Sequence, residues 1–206
     1  MKLHGYFRSS ASFRVRIALN LKGVAYEDIP HHLVKGEQRA PDYLTVNPQG
    51  LVPALEVEGA VLTQSLAICE YLDERYPDPP LLPGGAIARA QVRAFAQVIA
   101  CDIHPVQNLR VLKRVKALSD TGAAHIWARE TIEEGLASCA ELIAAQPGPY
   151  CFGAAVTLAD IFLIPQLFNA RRFDAAIPDR LLEAERACLT LDAFQRALPQ
   201  NQPDAE

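Results

Sequence analysis

Two adjacent serines, Ser9 and Ser10, stand in "YFRSSASFRVRIAL" (residues 6–19) between Arg8 and a run that reads as a helix. Hydroxyls at a strand-to-helix junction have two uses. They cap the helix by accepting from its unpaired first amides, or they take part in chemistry. The residues alone leave both open. Neither serine is expected to be a covalent nucleophile, because no base stands beside it.

A second feature is "NPQGLVPALEV" (residues 47–57), in which Pro53 opens an apolar strand. A proline there cannot donate to a ladder, so the strand is an edge or the bond forms a special turn, cis included. Such an edge leaves the amide and carbonyl of Val52 to pair with an extended peptide; the plain alternative is a turn proline with no ligand. Close behind comes "LTQSLAI" (residues 62–68), a strand end followed at once by a helix. Ser65 suits the helix N-terminus, whose free amides attract a carboxylate, although a plain N-cap needs no ligand. Val52-Pro53 followed by Gln64-Ser65 describes a peptide edge and an anion seat in one small domain. A short acidic peptide fits both.

Other polar residues carry less. His104, just before Pro105 in a helical stretch, reads either as a satisfied structural histidine or as a binding group. His31 and His32 read as loop residues, and His4 and His125 carry no signal. Arg14 and Arg16 read as helix or core ion-pair residues. Arg171 and Arg172, near a helix end, are a dipole-complementing pair on the simplest reading, and Arg110 a solvated residue. Thr157 and Asp160 have capping-box spacing, with Val156 and Ile161 as the staple, so Asp160 is a folding element and not a catalytic acid.

The elements that must position these groups follow from punctuation. "YPDPPLLPGGA" (residues 76–86) holds four prolines and two glycines and reads as a linker. It divides a first domain, 1–80, from a second, 87–206, with the linker itself at about 77–86. Before it, "KLHGY" is a strand, Ser10 to Lys22 a helix closed by Gly23, and "AYEDI" a second strand stopped by Pro30. "VPALEVEGAVLTQS" is a hairpin turning at Glu58-Gly59, and "SLAICEYLDERY" a helix with Ile68, Tyr71, Leu72 and Tyr76 on one stripe. The order is β-α-β, then β-β-α. After the linker strand signals vanish. Residues 87–118 form one long helical pattern with Val92, Phe95, Ala96, Ile99 and Ile103 on one side, and Pro105 is expected to kink it. Further helices are read at about 124–145, from "VTLAD" onward, and as two short pieces within 178–198. The fold class is a small α/β domain followed by an all-α one.

Composition bounds the partners. The chain has 206 residues, half hydrophobic and 21% charged, with a formal net charge of -4. It is an ordinary folded chain with no general attraction for phosphate backbones or anionic lipid, so neither nucleic acid nor membrane is expected as a partner. The five cysteines are widely spaced with no C-x-x-C pair, which argues against a disulfide framework and against a zinc site. No signal peptide or membrane span is read, so a cytoplasmic location is expected.

The stretches "YFRSSASFRVRIALNLKG", "NPQGLVPAL", "QSLAICEYLDERYP", "DIHPVQNLRVL", "TLADIFLIPQ" and "NARRF" together resemble the zeta class of cytosolic glutathione transferases, which includes maleylacetoacetate and maleylpyruvate isomerases. The likeness runs over nearly the whole chain. It implies a thioredoxin-like N-terminal domain, an all-helical C-terminal domain, a homodimer, and glutathione as cofactor with no metal. By similarity Ser9 sits at the glutathione sulfur and Ser10 supports the loop. Gln38, Val52, Pro53, Gln64 and Ser65 surround the tripeptide, with Ser65 taking its γ-glutamyl carboxylate, and His104 and Asn108 line the other side. Arg8, Arg110 and Arg172 are assigned to the substrate's acid and keto groups, with Arg171 as fallback for the last. One letter departs from the family's usual S-S-C: Ala11 stands where a cysteine is expected.

The implied activity is cis-trans isomerisation of a maleyl keto acid, maleylpyruvate or maleylacetoacetate, in aromatic compound catabolism. A general transferase conjugating small electrophiles, and a non-catalytic module of the same fold, are the alternatives. Absence of the cysteine slightly favours maleylpyruvate.

Overall fold

The computed structural model describes all residues from 1 to 206. They form two packed units, Met1–Leu81 together with Leu189–Glu206, and Leu82–Cys188.

In the first unit, β1 (Lys2–Gly5) leads into α1 (Ser10–Leu21), which returns to β2 (Glu27–Pro30). A 3-10 turn at Glu37–Arg39 and α2 (Pro41–Val46) precede β3 (Ala54–Val57), β4 (Ala60–Thr63) and α3 (Ser65–Arg75). The sheet order is β2-β1-β3-β4. β1 pairs parallel with β2, as the α1 crossover requires, and antiparallel with β3. The β3–β4 hairpin turns on two residues of positive φ, Glu58 at 51° and Gly59 at 81°, the handedness that matches strand twist. This β-α-β-β-β-α layout is thioredoxin-like. Its core joins Leu3 and Leu55 of the sheet to Phe13 and Ile17 of α1 and Ile68 and Leu72 of α3.

Three details differ from expectation. The 3-10 turn and α2 fill a stretch that the sequence left unassigned. Of the two readings of Pro53, the edge strand gives way, because β3 is an interior strand and Pro53 stands before its ladder, while the special turn holds, since its bond to Val52 is cis. The helical domain expected to run from 87 to 206 ends at Cys188, because residues 189–206 pack with the first unit.

The second unit is all helical: α4 (Ala86–Gln97), a π-helical turn (Val98–Ile103), α5 (Leu109–Leu118), α6 (Thr121–Ile143), α7 (Leu158–Arg172) and α8 (Asp179–Cys188). The expected stripe of Val92, Phe95, Ala96, Ile99 and Ile103 is buried. The single kinked helix over 87–118 is not. His104 donates its amide to the Ile99 carbonyl at 2.9 Å, five residues back, and the chain then leaves helical form until α5. Pro105, with no amide to offer the carbonyl of Cys101, stands in this break rather than at a bend. α7 is the central rod, with Asp160 and nearly every other residue buried. Its capping box is present as read, with Asp160 accepting from the Thr157 amide at 2.8 Å.

The remaining helix, α9 (Asp192–Ala197), lies against α1 in the first unit. With α3 against α1 as well, α1 is covered from more than one side. That explains an unbroken buried run from Ser12 to Leu19 that includes two arginines.

Candidate active site

The loop from Tyr6 to Ser9 is anchored on three sides. Ser9 donates its amide to the Tyr6 carbonyl at 3.0 Å. Arg16, buried on α1, donates to the carbonyls of Tyr6, Phe7 and Ala197 at 3.4, 3.0 and 3.2 Å. Asp204 accepts the Phe7 amide at 3.0 Å. Burial pulls the Arg16 pKa down to about 10, against the opposing pull of Tyr26, Asp28 and Asp204, so the guanidinium stays charged at neutral pH. The ion-pair reading of Arg16 gives way to one in which it ties the loop to the tail through carbonyl oxygens.

Ser9 is the N-cap of α1, and its Oγ accepts the Ser12 amide at 3.2 Å. A hydroxyl that accepts with its oxygen still has its proton to give. Capping and chemistry are therefore compatible uses of this one side chain. Half-buried beside exposed Arg8 and the positive end of α1, Ser9 is placed to donate to an anionic atom. Ser10 is the first residue of that helix.

Val52 lies beyond the β1–β3 ladder, which stops at the His4–Ala54 pair. The carbonyl before it is held firmly: Leu51 accepts from the Tyr43 hydroxyl at 2.6 Å and from the Asn47 amide group at 2.7 Å. Burial raises the Tyr43 pKa to about 12, with Asn47 opposing, so the phenol remains a donor. Gly50 packs against the 3-10 turn so closely that an added Cβ would meet the Gln38 carbonyl at 2.9 Å, and its φ is +60°. Gln38 itself has a buried Oε1 with no hydrogen-bond partner.

Gln64 precedes α3 with φ 69°, in the left-handed region that side chains disfavour, and provides no side-chain cap. Helices α1, α5, α6 and α7 are capped by side chains, whereas α3, like α2, α4 and α9, has an open N-terminus. Ser65 is buried, and Arg14 Nη1 donates to its Oγ at 3.2 Å. A buried guanidinium, a hydroxyl with a proton still to give and a row of helix amides form a seat suited to a carboxylate.

In the helical unit, His104 follows the π-helical turn, and Asn108 caps α5 by accepting the amides of Arg110 and Val111, both at 3.1 Å. His104 and Asn108 thus do not share the face of one continuous helix. Arg110 is exposed in the first turn of α5. Arg171 is committed to Glu185 through a two-pronged ion pair, one arm at 2.7 Å, and the Glu185 carboxylate raises its pKa further. Arg172, exposed at the end of α7, has its guanidinium 6.0 Å from the ring of Phe173. Between the two arginines the fallback role of Arg171 is the weaker one.

Close packing shapes the turn before His104. A Cβ on Gly135 of α6 would stand 2.3 Å from Ile103 Cγ1. Gly135→Ala is expected to lower stability by about 1–3 kcal/mol, and Ile103→Val in the same chain to recover part of it. Thermal unfolding of the single and double variants measures this.

Sequence reasoning missed several supports. Tyr43 sits in the unassigned segment, Asn47 opens the stretch read for Pro53 without a role of its own, and Arg14 reads in the sequence only as a helix or core ion-pair residue. His4 and His31, passed over as uninformative, are hydrogen-bonded to each other at 2.8 Å. A buried polar residue on a strand opposite another on a neighbouring element is the signal that pairs them, and it needs the register to be seen.

The glutathione S-transferase N-terminal domain matches residues 1–74 and the C-terminal domain residues 85–191, and the chain belongs to the glutathione S-transferase family. A maleylacetoacetate isomerase of Rhizobium meliloti is 49% identical over 203 residues, 96% of this chain and 95% of its own. The holo structure of a maleyl pyruvate isomerase, a bacterial zeta-class transferase, superposes with a TM-score of 0.97 at 44% identity over the whole of both chains. A maleylacetoacetate isomerase of Methylobacterium extorquens AM1, solved with malonate and GSH bound, gives 0.95 at 40% identity, again over both whole chains.

Proposed function

We propose that the chain is a glutathione-dependent cis-trans isomerase of a maleyl keto acid. The observation that carries this is Ser9, whose oxygen is taken by the helix while its proton remains available beside Arg8. The first unit also fits glutathione. Val52 presents a backbone edge outside the ladder, the N-terminus of α3 lacks a cap above Arg14 and Ser65, and Gln38 has an unpartnered buried oxygen. These groups, with Pro53, Gln64 and Ser10, would hold the tripeptide, and family likeness adds His104 and Asn108.

When bound, glutathione supplies a thiolate that adds reversibly to the cis double bond, permits rotation about the bond so made single, and departs unchanged. Ser9 donates its hydroxyl proton toward sulfur, and the N-terminus of α1 and Arg8 favour negative charge there. Arg8, Arg110 and Arg172 are assigned to the substrate's carboxylates and to the charge that builds on its keto oxygen, where a fixed planar cation is most effective. Ala11 has no sulfur, and burial raises the thiols of Cys69 and Cys139 to about 12 and those of Cys151 and Cys188 above their ordinary value.

No helix is long and apolar enough to cross a membrane. The reading includes a cytoplasmic homodimer, supported by the family likeness and by five unpaired cysteines.

The test is a rate measurement on maleylpyruvate and on maleylacetoacetate with catalytic glutathione. Fumaryl product forming while glutathione is undiminished supports the reading; consumption one for one sinks it in favour of conjugation. The faster acid names the substrate. Arg110→Ala and Arg172→Ala are each expected to lower kcat/KM by about 10-fold or more with glutathione affinity nearly unchanged, while Arg171→Ala acts mainly on stability. Loss of glutathione affinity in step with activity would place those arginines at the cofactor instead.

A further inference from the structure

Beneath the Val52 edge runs a chain of contacts that begins at a buried histidine. His4, on β1, donates Nε2–H to Glu56 on β3 at 2.6 Å, and its Nδ1 lies 2.8 Å from Nε2 of His31, just after β2. The two imidazoles meet edge to edge, with centroids 5.1 Å apart and planes within 19° of each other, and the His31 ring packs on Tyr43 of α2 at 4.2 Å. Tyr43 in turn holds the Leu51 carbonyl at 2.6 Å, one residue from Val52. The segment from His31 through α2, which includes Gln38, is thus tied to the sheet at its start by the His31 amide, which donates to the Gly5 carbonyl of β1 at 2.8 Å, and by one side-chain bond, the nitrogen-to-nitrogen contact with His4.

That bond has a particular proton requirement. Glu56 fixes a proton on His4 Nε2. With both rings neutral, His31 Nε2–H donates to His4 Nδ1; with one further proton, His4 Nδ1–H donates to His31 Nε2. With two, both facing nitrogens carry hydrogen and the contact becomes repulsive. The pair tolerates one added proton and not a second.

We propose that the His4–His31 pair is a pH-sensitive fastening of residues 31–46, and through Tyr43 of the Val52 edge, so that double protonation weakens glutathione binding. The ligand named here rests on the function proposed above. Around the pair stand Glu56 on β3, Lys2 on β1, and Glu37 and Tyr43 on the fastened segment. Asp28 on β2 interacts instead with Asp204 and Arg16, and His32 faces Glu206 at 3.3 Å. Burial first, and then the charge of His4, lower the His31 pKa below 6.5, with Glu37 opposing. A histidine whose folded pKa is depressed takes up protons more readily unfolded, so the fastening is complete above that value and is lost as pH falls below it.

The test uses S-methylglutathione, whose sulfur has no proton to lose, so that thiol ionisation does not enter the profile. Its affinity for the unaltered protein, measured by calorimetry, is expected to fall about 5-fold or more from about pH 7.5 to 5.5. His31→Gln keeps a side-chain donor toward His4 and does not titrate, so its affinity is expected to hold within about 2-fold over that range. An equal fall in both proteins overturns the proposal. Hydrogen exchange of amides 31–46 in the unaltered protein, corrected for intrinsic rates, should show protection lost at the lower pH; unchanged protection overturns the proposal even if the variant does not fold. If protection is lost but S-methylglutathione binds at neither pH, the fastening stands and the glutathione reading fails.

Discussion

Ser9→Ala is expected to lower kcat/KM for isomerisation by about 10²–10³-fold, the usual consequence of removing one donor aimed at developing or resident negative charge. The same change removes the α1 cap, because Oγ accepts the Ser12 amide. That loss costs about 1 kcal/mol and a few degrees of Tm. The two effects separate by chemistry. Ser9→Asp preserves an N-cap acceptor but has no proton to give at neutral pH and adds negative charge where the proposed function puts the thiolate. It should retain thermal stability while being no more active than the alanine variant. In parallel, the pKa of bound glutathione, followed by thiolate absorbance, should rise toward its free value in both variants. Activity within a few-fold of the parent in Ser9→Ala, alongside the lower Tm, would leave Ser9 as a cap alone.

The largest stability effect is expected at Asp160, which is completely buried on α7. One oxygen accepts the Cys151 amide at 2.8 Å, and the other accepts the Thr157 amide at 2.8 Å and its hydroxyl at 3.0 Å. Asp160→Ala strands three buried donors and opens a cavity, a loss of about 3–5 kcal/mol. Asp160→Asn retains one acceptor oxygen and should lose about half as much. Urea unfolding checks both through a lowered midpoint at unchanged slope. Glutathione affinity of the folded fraction should be unaffected, since every partner of Asp160 named here lies in the helical unit; reduced affinity at full folding would contradict a purely structural role.

Local chemistry made much of the fold legible. Alternating short apolar runs around Glu58-Gly59 specify a hairpin, and the Thr157–Asp160 spacing specifies a helix start, because each pattern is satisfied within a few residues. α2 was not legible: Pro41 is a proper first-turn residue, but six residues give too little periodicity to stand out. The π-helical turn was hidden for another reason, since the closeness of Ile103 to Gly135 joins residues far apart in sequence. The same distinction governs the site. Ser9, Val52 and Ser65 could be singled out by type and position. What holds them could not, because Arg14, Arg16, Tyr43 and Asp204 act across loops whose closure the sequence does not display.

The tie between the Tyr6–Ser9 loop and residues 189–206 has a consequence for biosynthesis. A ribosome delivers Arg8 and Ser9 nearly two hundred residues before Ala197 and Asp204, with the whole helical unit between them. Until that late stretch emerges, Arg16 lacks one of its carbonyl partners and the Phe7 amide lacks its carboxylate. A nascent chain stalled within the helical unit therefore has its sheet strands but not a finished Tyr6–Ser9 loop. The loop is translated before the helical unit and set after it.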